Sequence, residues 1–173
     1  MPEDRPARIT LRSGGPDDTR ALAAALASLL RPGDVVSLSG ELGAGKTCFV
    51  QGAAQALGVT ERVTSPTFML VKSYAGDLPV VHGDVYRLDR VRDVEDLGDE
   101  LLAADVVTFL EWGDAVRSFL PPDRLEVELL LDDPEDIDAD RVLHLEVHGT
   151  WAARAADLAT ALAPWVGPTA HAC

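Results

Sequence analysis

The chain has 173 residues, of which 47% are apolar and 25% charged, and 29 acids against 15 Lys and Arg give a formal net charge of −14. This length and composition predict one globular domain over residues 1–173, with a core that needs neither disulfides nor a structural metal. Two cysteines are too few for a secreted disulfide framework and no apolar run approaches the roughly 18 residues of a membrane span, so we expect a cytoplasmic protein without a secretory signal or membrane anchor.

The acidic charge is concentrated in residues 77–140. This segment holds twenty acids and five arginines, a net charge of −15, so the rest of the chain carries −14 − (−15) = +1. Because nucleic-acid affinity depends largely on Lys and Arg neutralising phosphates, direct binding of a nucleic acid is not expected. The acids either keep the protein soluble or form a docking face for a basic partner, and the sequence leaves both open.

Short apolar runs alternate along the chain with amphipathic stretches, which predicts a mixed α/β fold. Strands are expected at residues 7–11, 34–39, 67–73, 78–86, 105–110, 125–131 and 142–147. Helical segments are expected at residues 16–30, 46–57, 94–104, 115–120 and 151–163. The last two strands enclose an acidic loop and are predicted to pair as an antiparallel hairpin, and residues 165–173 are expected to form a frayed tail.

A glycine-rich turn lies between the second predicted strand and the second predicted helix. It reads GELGAGKT and fits the phosphate-binding pattern G-x-x-x-x-G-K-[ST]. Backbone N–H groups of such a turn can surround a phosphate, and the following helix directs its positive end at the same point. Lys46 is expected to contact the β- and γ-phosphates, and the Thr47 hydroxyl to hold Mg²⁺. The predicted nucleotide-binding residues are Gly40, Glu41, Leu42, Gly43, Ala44, Gly45, Lys46, Thr47 and Cys48.

The absence of one residue type bears on the nucleotide base. Switch-loop GTPases usually recognise guanine through an Asn-Lys-x-Asp segment, and this chain contains no asparagine. We therefore expect ATP or ADP with Mg²⁺. The fold expected around this loop is a three-layer, P-loop NTPase-like α/β domain with a mainly parallel sheet and one antiparallel hairpin.

Three further segments carry groups that suit phosphate chemistry. Asp84 falls near the end of one predicted strand and Glu111 closes another, which are usual places for a carboxylate directed at magnesium. Residues 65–68 follow Lys46 by about twenty residues and could bring a hydroxyl to the γ-phosphate. Each segment alone is equally compatible with a plain turn or a core position.

Taken together, the segments GELGAGKT, VTSPTFMLVKSY, HGDVYRLD, DLGDELL and FLEWGD resemble, in this order, the TsaE family of small bacterial ATPases. That family serves the synthesis of threonylcarbamoyladenosine in tRNA, and the resemblance covers residues 35–115 in detail. It implies a Mg²⁺-dependent ATPase that uses Lys46 and Thr47, with Thr67 near the γ-phosphate. It also implies that one of Asp84 and Glu111 holds Mg²⁺ while the other orients the attacking water, in an order that the sequence leaves open.

The resemblance further implies an ATPase that is weak alone and stimulated by partners. It would act with two proteins that transfer a threonylcarbamoyl group to the adenosine next to the anticodon. The sequence departs from the family pattern at Cys48, where a second threonine is frequent, and at Gly83, where a bulkier residue is common. A small-molecule kinase and a nucleotide-gated binding module with negligible turnover remain alternatives.

Overall fold

The computed structural model describes residues 6–66, 70–86, 96 and 98–167. The strands, in chain order, are β1 (Arg8–Ser13), β2 (Val35–Ser39), β3 (Val71–Tyr74), β4 (Val80–Asp84), β5 (Val107–Glu111), β6 (Arg124–Leu131) and β7 (Arg141–His148). They form a seven-stranded sheet in the order β1-β7-β6-β2-β5-β4-β3. Strand β2, which leads into the glycine-rich turn, therefore lies at the centre of the sheet.

The centre of the sheet is parallel and both its edges are antiparallel. β2 runs parallel to β5 and β6, and β4 runs parallel to β5. The predicted hairpin is confirmed, because β6 and β7 pair antiparallel over eight residues. The antiparallel part extends beyond that hairpin, since β1 joins β7 and β3 joins β4. Parallel strands bring their carboxyl ends to one edge, which places the ends of β2, β4 and β5 together.

Helices cover both faces of the sheet. The α-helices are α1 (Pro16–Ala27), α2 (Lys46–Ala56), α3 (Gly98–Leu101) and α4 (Ala155–Ala161), and 3-10 helices span Gly113–Phe119, Gly149–Arg154 and Ala163–Trp165. In β2, β4 and β5, alternate residues enter two separate apolar clusters, because successive side chains point to opposite faces. The first cluster joins the sheet to α1 and α2, and the second joins it to α3 and the Gly113–Phe119 turn. The expected three-layer arrangement is present.

The second cluster explains why a small residue fits at position 83. Gly83 lies on β4, and a Cβ there would meet the side chains of Leu101 and Leu110 at 2.8 and 2.9 Å. Leu101 comes from α3, which corresponds to part of the helix predicted at 94–104, while residues 87–95 and 97 lie outside the described residues. The glycine therefore allows α3 to pack closely on the sheet.

The C-terminal region is anchored at two points. The predicted final helix begins as a 3-10 turn, and Arg154 in that turn donates bidentate hydrogen bonds of 2.7 Å to Asp34, just before β2. The predicted fraying from residue 165 is wrong for Trp165 and Val166. The indole of Trp165 donates to Asp18 at 2.8 Å and Val166 forms a β-bridge with Leu11. A large aromatic with a hydrogen-bond partner holds this segment on the fold.

In the part of the chain that the structure describes, every helix is too short or too polar to span a membrane.

Candidate functional site

The glycine-rich turn connects the carboxyl end of β2 to the start of α2. Gly40 has φ +138°, and a Cβ there would overlap the carbonyl oxygen of Leu129 in β6. Only glycine fits at this position, because it has no Cβ. Gly45 has φ +108° and is the N-cap of α2. The first turn of this 11-residue helix contains no acidic side chain, which leaves its positive end available to an anion.

Lys46 is buried beneath this turn, with 6% of its surface exposed. Its ammonium donates hydrogen bonds to the carbonyl oxygens of Gly40 and Glu41 at 2.5 and 3.0 Å. The same nitrogen lies 4.1 Å from the ring centroid of Trp112, in a cation–π contact. The charge is therefore already held inside the loop, and a phosphate would have to take over contacts that the loop carbonyls now make.

The electrostatic surroundings of Lys46 act in two directions. Burial lowers the pKa of its ammonium below the ordinary value of a lysine. The carboxylates of Glu111, Asp84 and Asp114 act against this effect, because negative charges nearby favour the protonated form. Burial is the larger effect, so Lys46 gives up its proton more readily than a lysine in water does.

Thr47, the next residue, is joined to the end of β5. Its hydroxyl donates a hydrogen bond of 2.8 Å to Oε1 of Glu111. Glu111 is buried, with 4% of its surface exposed, and Nε2 of His82 lies 2.8 Å from the same oxygen. One carboxylate oxygen therefore connects the start of α2 to β4 and β5.

Asp84 lies beside Glu111, because the two residues are register partners at the ends of the parallel strands β4 and β5. Asp84 is also buried, at 5% exposure. Its Oδ1 accepts a hydrogen bond of 2.9 Å from the backbone N–H of Tyr86, and its Oδ2 lies 3.4 Å from the hydroxyl of Ser65. Asp84 thus faces the segment that leads towards Thr67.

These groups line one open cleft of about 590 Å³, a volume typical of small-molecule sites. The glycine-rich turn forms one side, and Tyr86 and Trp112 stand at the rim with ring centroids 4.7 Å apart. Leu42, at the tip of the turn, is 79% exposed, and Cys48 also lines the cleft. The Cys48 thiol accepts a hydrogen bond from the guanidinium of Arg20 at 3.6 Å.

Eight of the residues predicted from sequence line this cleft: Leu42, Gly43, Gly45, Lys46, Thr47, Cys48, Asp84 and Glu111. Thr67 lies outside the described residues, so its role stays a prediction. His82 was not given a role by sequence reasoning. The available signal was a histidine inside an apolar strand run, VVHGDV, where a buried polar side chain requires a partner.

Comparisons with known proteins agree on one family. The family model described as "Threonylcarbamoyl adenosine biosynthesis protein TsaE" matches residues 14–141. A TsaE protein of Bacillus subtilis is 44% identical over 122 residues, which cover 69% of this chain and 76% of that protein. A TsaE protein of Streptomyces coelicolor is 44% identical over 134 residues, which cover 75% of this chain and 89% of that protein. Both relatives are named as tRNA threonylcarbamoyladenosine biosynthesis proteins.

A solved structure has the same fold. The crystal structure of YdiB from Bacillus subtilis superposes with a TM-score of 0.75 and 30% sequence identity. The match covers 94% of this chain and 98% of YdiB. Together with helices on both faces of the sheet, this likeness confirms the fold class expected from the sequence.

Proposed function

Since this chain belongs to the TsaE family of tRNA threonylcarbamoyladenosine biosynthesis proteins, we propose that it serves that synthesis by binding and hydrolysing ATP with Mg²⁺. The observation that carries the proposal is the hydrogen bond between Thr47, at the start of α2, and Glu111, at the end of β5. It joins the phosphate-binding pattern to a pair of buried carboxylates, which is the arrangement that phosphoryl transfer to water needs.

The donor set fits magnesium. The hydroxyl of Thr47 and the carboxylates of Glu111 and Asp84 are hard oxygen ligands, which Mg²⁺ prefers. A hydroxyl that donates its hydrogen to a carboxylate keeps its oxygen lone pairs available to a cation. We therefore assign the magnesium-holding role to Thr47 and Glu111. Bound there, Mg²⁺ would offset the negative charge that develops on the phosphate oxygens during transfer.

The remaining carboxylate, Asp84, is assigned to the attacking water. It lies beside Glu111 in register, and its Oδ2 is close to Ser65, at the start of the segment that contains Thr67. A carboxylate in that position can accept a hydrogen bond from water and direct its oxygen at the γ-phosphate. Thr67 is proposed to approach the same phosphate, and Lys46 to neutralise its oxygens.

The surface charge supports a basic protein partner. A second cleft, of about 380 Å³, shares Trp112 with the first one. Its lining includes five carboxylates: Glu41, Asp114, Glu126, Glu128 and Glu146. Burial and the nearby guanidinium of Arg8 lower the pKa of His144 in this cleft, so its ring is neutral at neutral pH. We propose that a basic surface of the threonylcarbamoyl-transferring proteins docks here and raises the rate of hydrolysis.

Phosphate release from ATP by Glu111→Gln and Asp84→Asn tests the assignment of the carboxylates. With Mg²⁺ chelated, both variants should bind ADP as the parent does, because neither carboxylate is proposed to hold the adenosine. With Mg²⁺ present, both should lose hydrolysis. Glu61→Gln is the matched control, since Glu61 is exposed and pairs only with Lys72 among the contacts described. If both cleft variants hydrolyse ATP at the parental rate, the carboxylates are structural and the proposal fails.

The same assay separates the alternatives. A nucleotide-gated binding module would release no phosphate with or without partner proteins. A small-molecule kinase would transfer the γ-phosphate to a supplied acceptor instead of water. Phosphate in solution that depends on Glu111 and Asp84 excludes both.

A further inference from the structure

His82 is a buried polar residue that the chemistry proposed above does not use. It lies in the middle of β4, its side chain has no exposed surface, and its register partner on β5 is Phe109. The strand residues before it, Val80 and Val81, belong to the apolar core. An imidazole placed among such residues is costly unless its nitrogens have partners.

The partner of His82 is Glu111. The distance between Nε2 and Oε1 is 2.8 Å, and the same Oε1 accepts the hydroxyl hydrogen of Thr47 at 2.8 Å. An ionised carboxylate has no hydrogen to give, so Nε2 of His82 must donate. Nδ1 has no hydrogen-bond partner within residues 6–66, 70–86, 96 and 98–167. A neutral ring with its hydrogen on Nε2 satisfies Glu111 and leaves no N–H group unpaired.

Two donors on one oxygen define where that oxygen stands. With the Thr47 bond alone, the Glu111 carboxylate could shift together with the start of α2. The imidazole of His82 is buried in the sheet, so its hydrogen bond holds the carboxylate in place. Hydrogen-bond partners behind a metal ligand commonly set its orientation, and their removal typically weakens metal affinity by about 10–100-fold. His82 is placed to do this for Glu111 from the neighbouring strand β4.

We propose that His82 is a positioning residue that holds Oε1 of Glu111 beside the Thr47 hydroxyl, and so sets the magnesium affinity of the site without touching the nucleotide. This inference rests on the proposed function, which assigns magnesium to Thr47 and Glu111. A histidine that served only the core would affect folding stability and leave the magnesium dependence unchanged.

Three variants separate these roles. His82→Met fills the space without a donor, and His82→Gln restores an N–H group that can reach Glu111. Thr108→Val is the matched control, because Thr108 is buried on the neighbouring strand and its hydroxyl donates to the Leu101 carbonyl, away from Glu111. Thermal unfolding of each variant reports the common loss of stability.

The readouts are the Mg²⁺ concentration for half-maximal phosphate release and the Mg²⁺ dependence of ADP binding by calorimetry. His82→Met should raise the Mg²⁺ concentration needed for half of the full effect by about 10–100-fold, in phosphate release and in ADP binding alike. His82→Gln should recover most of the loss, and Thr108→Val should match the parent. ADP affinity measured with Mg²⁺ chelated should not differ among the four proteins. In the parent, ¹⁵N NMR of the ring should show hydrogen on Nε2 and none on Nδ1.

Parental magnesium dependence in His82→Met would overturn the inference, as would an equal change in Thr108→Val or a ring with hydrogen on Nδ1 alone. If His82→Met does not fold, His82→Gln and the ring NMR of the parent still test the inference. The inference is overturned if the glutamine variant loses magnesium affinity and the ring hydrogen of the parent is not on Nε2. Absence of phosphate release from the parent would refute the proposed function instead, and the calorimetric comparison would still test His82.

Discussion

Replacing Lys46 with alanine should weaken ADP binding by about 10- to 150-fold. The buried ammonium donates two of its three hydrogens to the carbonyl oxygens of Gly40 and Glu41. A phosphate that binds in the loop gains the third hydrogen and competes for the other two, so the net gain is that of a charge-assisted hydrogen bond, about 1.5–3 kcal/mol. At about 1.4 kcal/mol for each factor of ten, that energy corresponds to the stated loss of affinity.

Isothermal titration calorimetry with ADP measures the loss, and the chain supplies its own control. Lys72 is the other of its two lysines, lies on β3 and pairs with Glu61 at 2.8 Å. Lys72→Ala should bind ADP as the parent does, and thermal unfolding should show that both variants are folded. Unchanged affinity in Lys46→Ala, or an equal loss in Lys72→Ala, would refute the assignment of the phosphate to this loop.

Three further outcomes are expected. Arg154→Met should lower the free energy of unfolding by about 3 kcal/mol in a urea titration, because it leaves the carboxylate of Asp34, whose side chain is only 11% exposed, without its bidentate partner. A loss below about 0.5 kcal/mol would show that the pair does not matter. Gly40→Ala should remove ADP binding, since φ is +138° and a Cβ would overlap the Leu129 carbonyl; parental affinity would place the nucleotide elsewhere. Burial lowers the pKa of Lys46, whereas bound phosphate favours its charged form, so proton uptake on ADP binding should grow as the pH rises towards the lowered pKa. Calorimetric heats that stay identical in buffers of different ionisation enthalpy at every pH would contradict this.

The parts of the site that could be predicted from sequence depend on local patterns. The turn from Gly40 to Thr47 is a contiguous motif between a strand and a helix, and its conformation follows from its glycines. Asp84 and Glu111 were placed at strand ends by the apolar runs before them. Parallel strands share one carboxyl edge, so two such ends meet if the strands are neighbours, as β4 and β5 are.

The parts that could not be predicted depend on which distant segments become neighbours. The role of His82 requires β4 to lie beside β5 in one specific register, and no local pattern specifies that register. The same holds for β1, which pairs with β7 from the other end of the chain. The anchoring of Trp165 on Asp18 joins residues 147 positions apart, so composition alone favoured a frayed tail there.

The most direct test of the central claim is γ-phosphate release from ATP by the full chain, measured with Mg²⁺ in the presence and absence of the threonylcarbamoyl-transferring partner proteins. Release by the chain alone should be slow and release with partners faster, with stimulation that weakens as salt screens the acidic surface. Glu111→Gln should abolish release in both conditions. Fast release by the chain alone that neither partners nor salt change, or release that persists in Glu111→Gln, would contradict the proposed function.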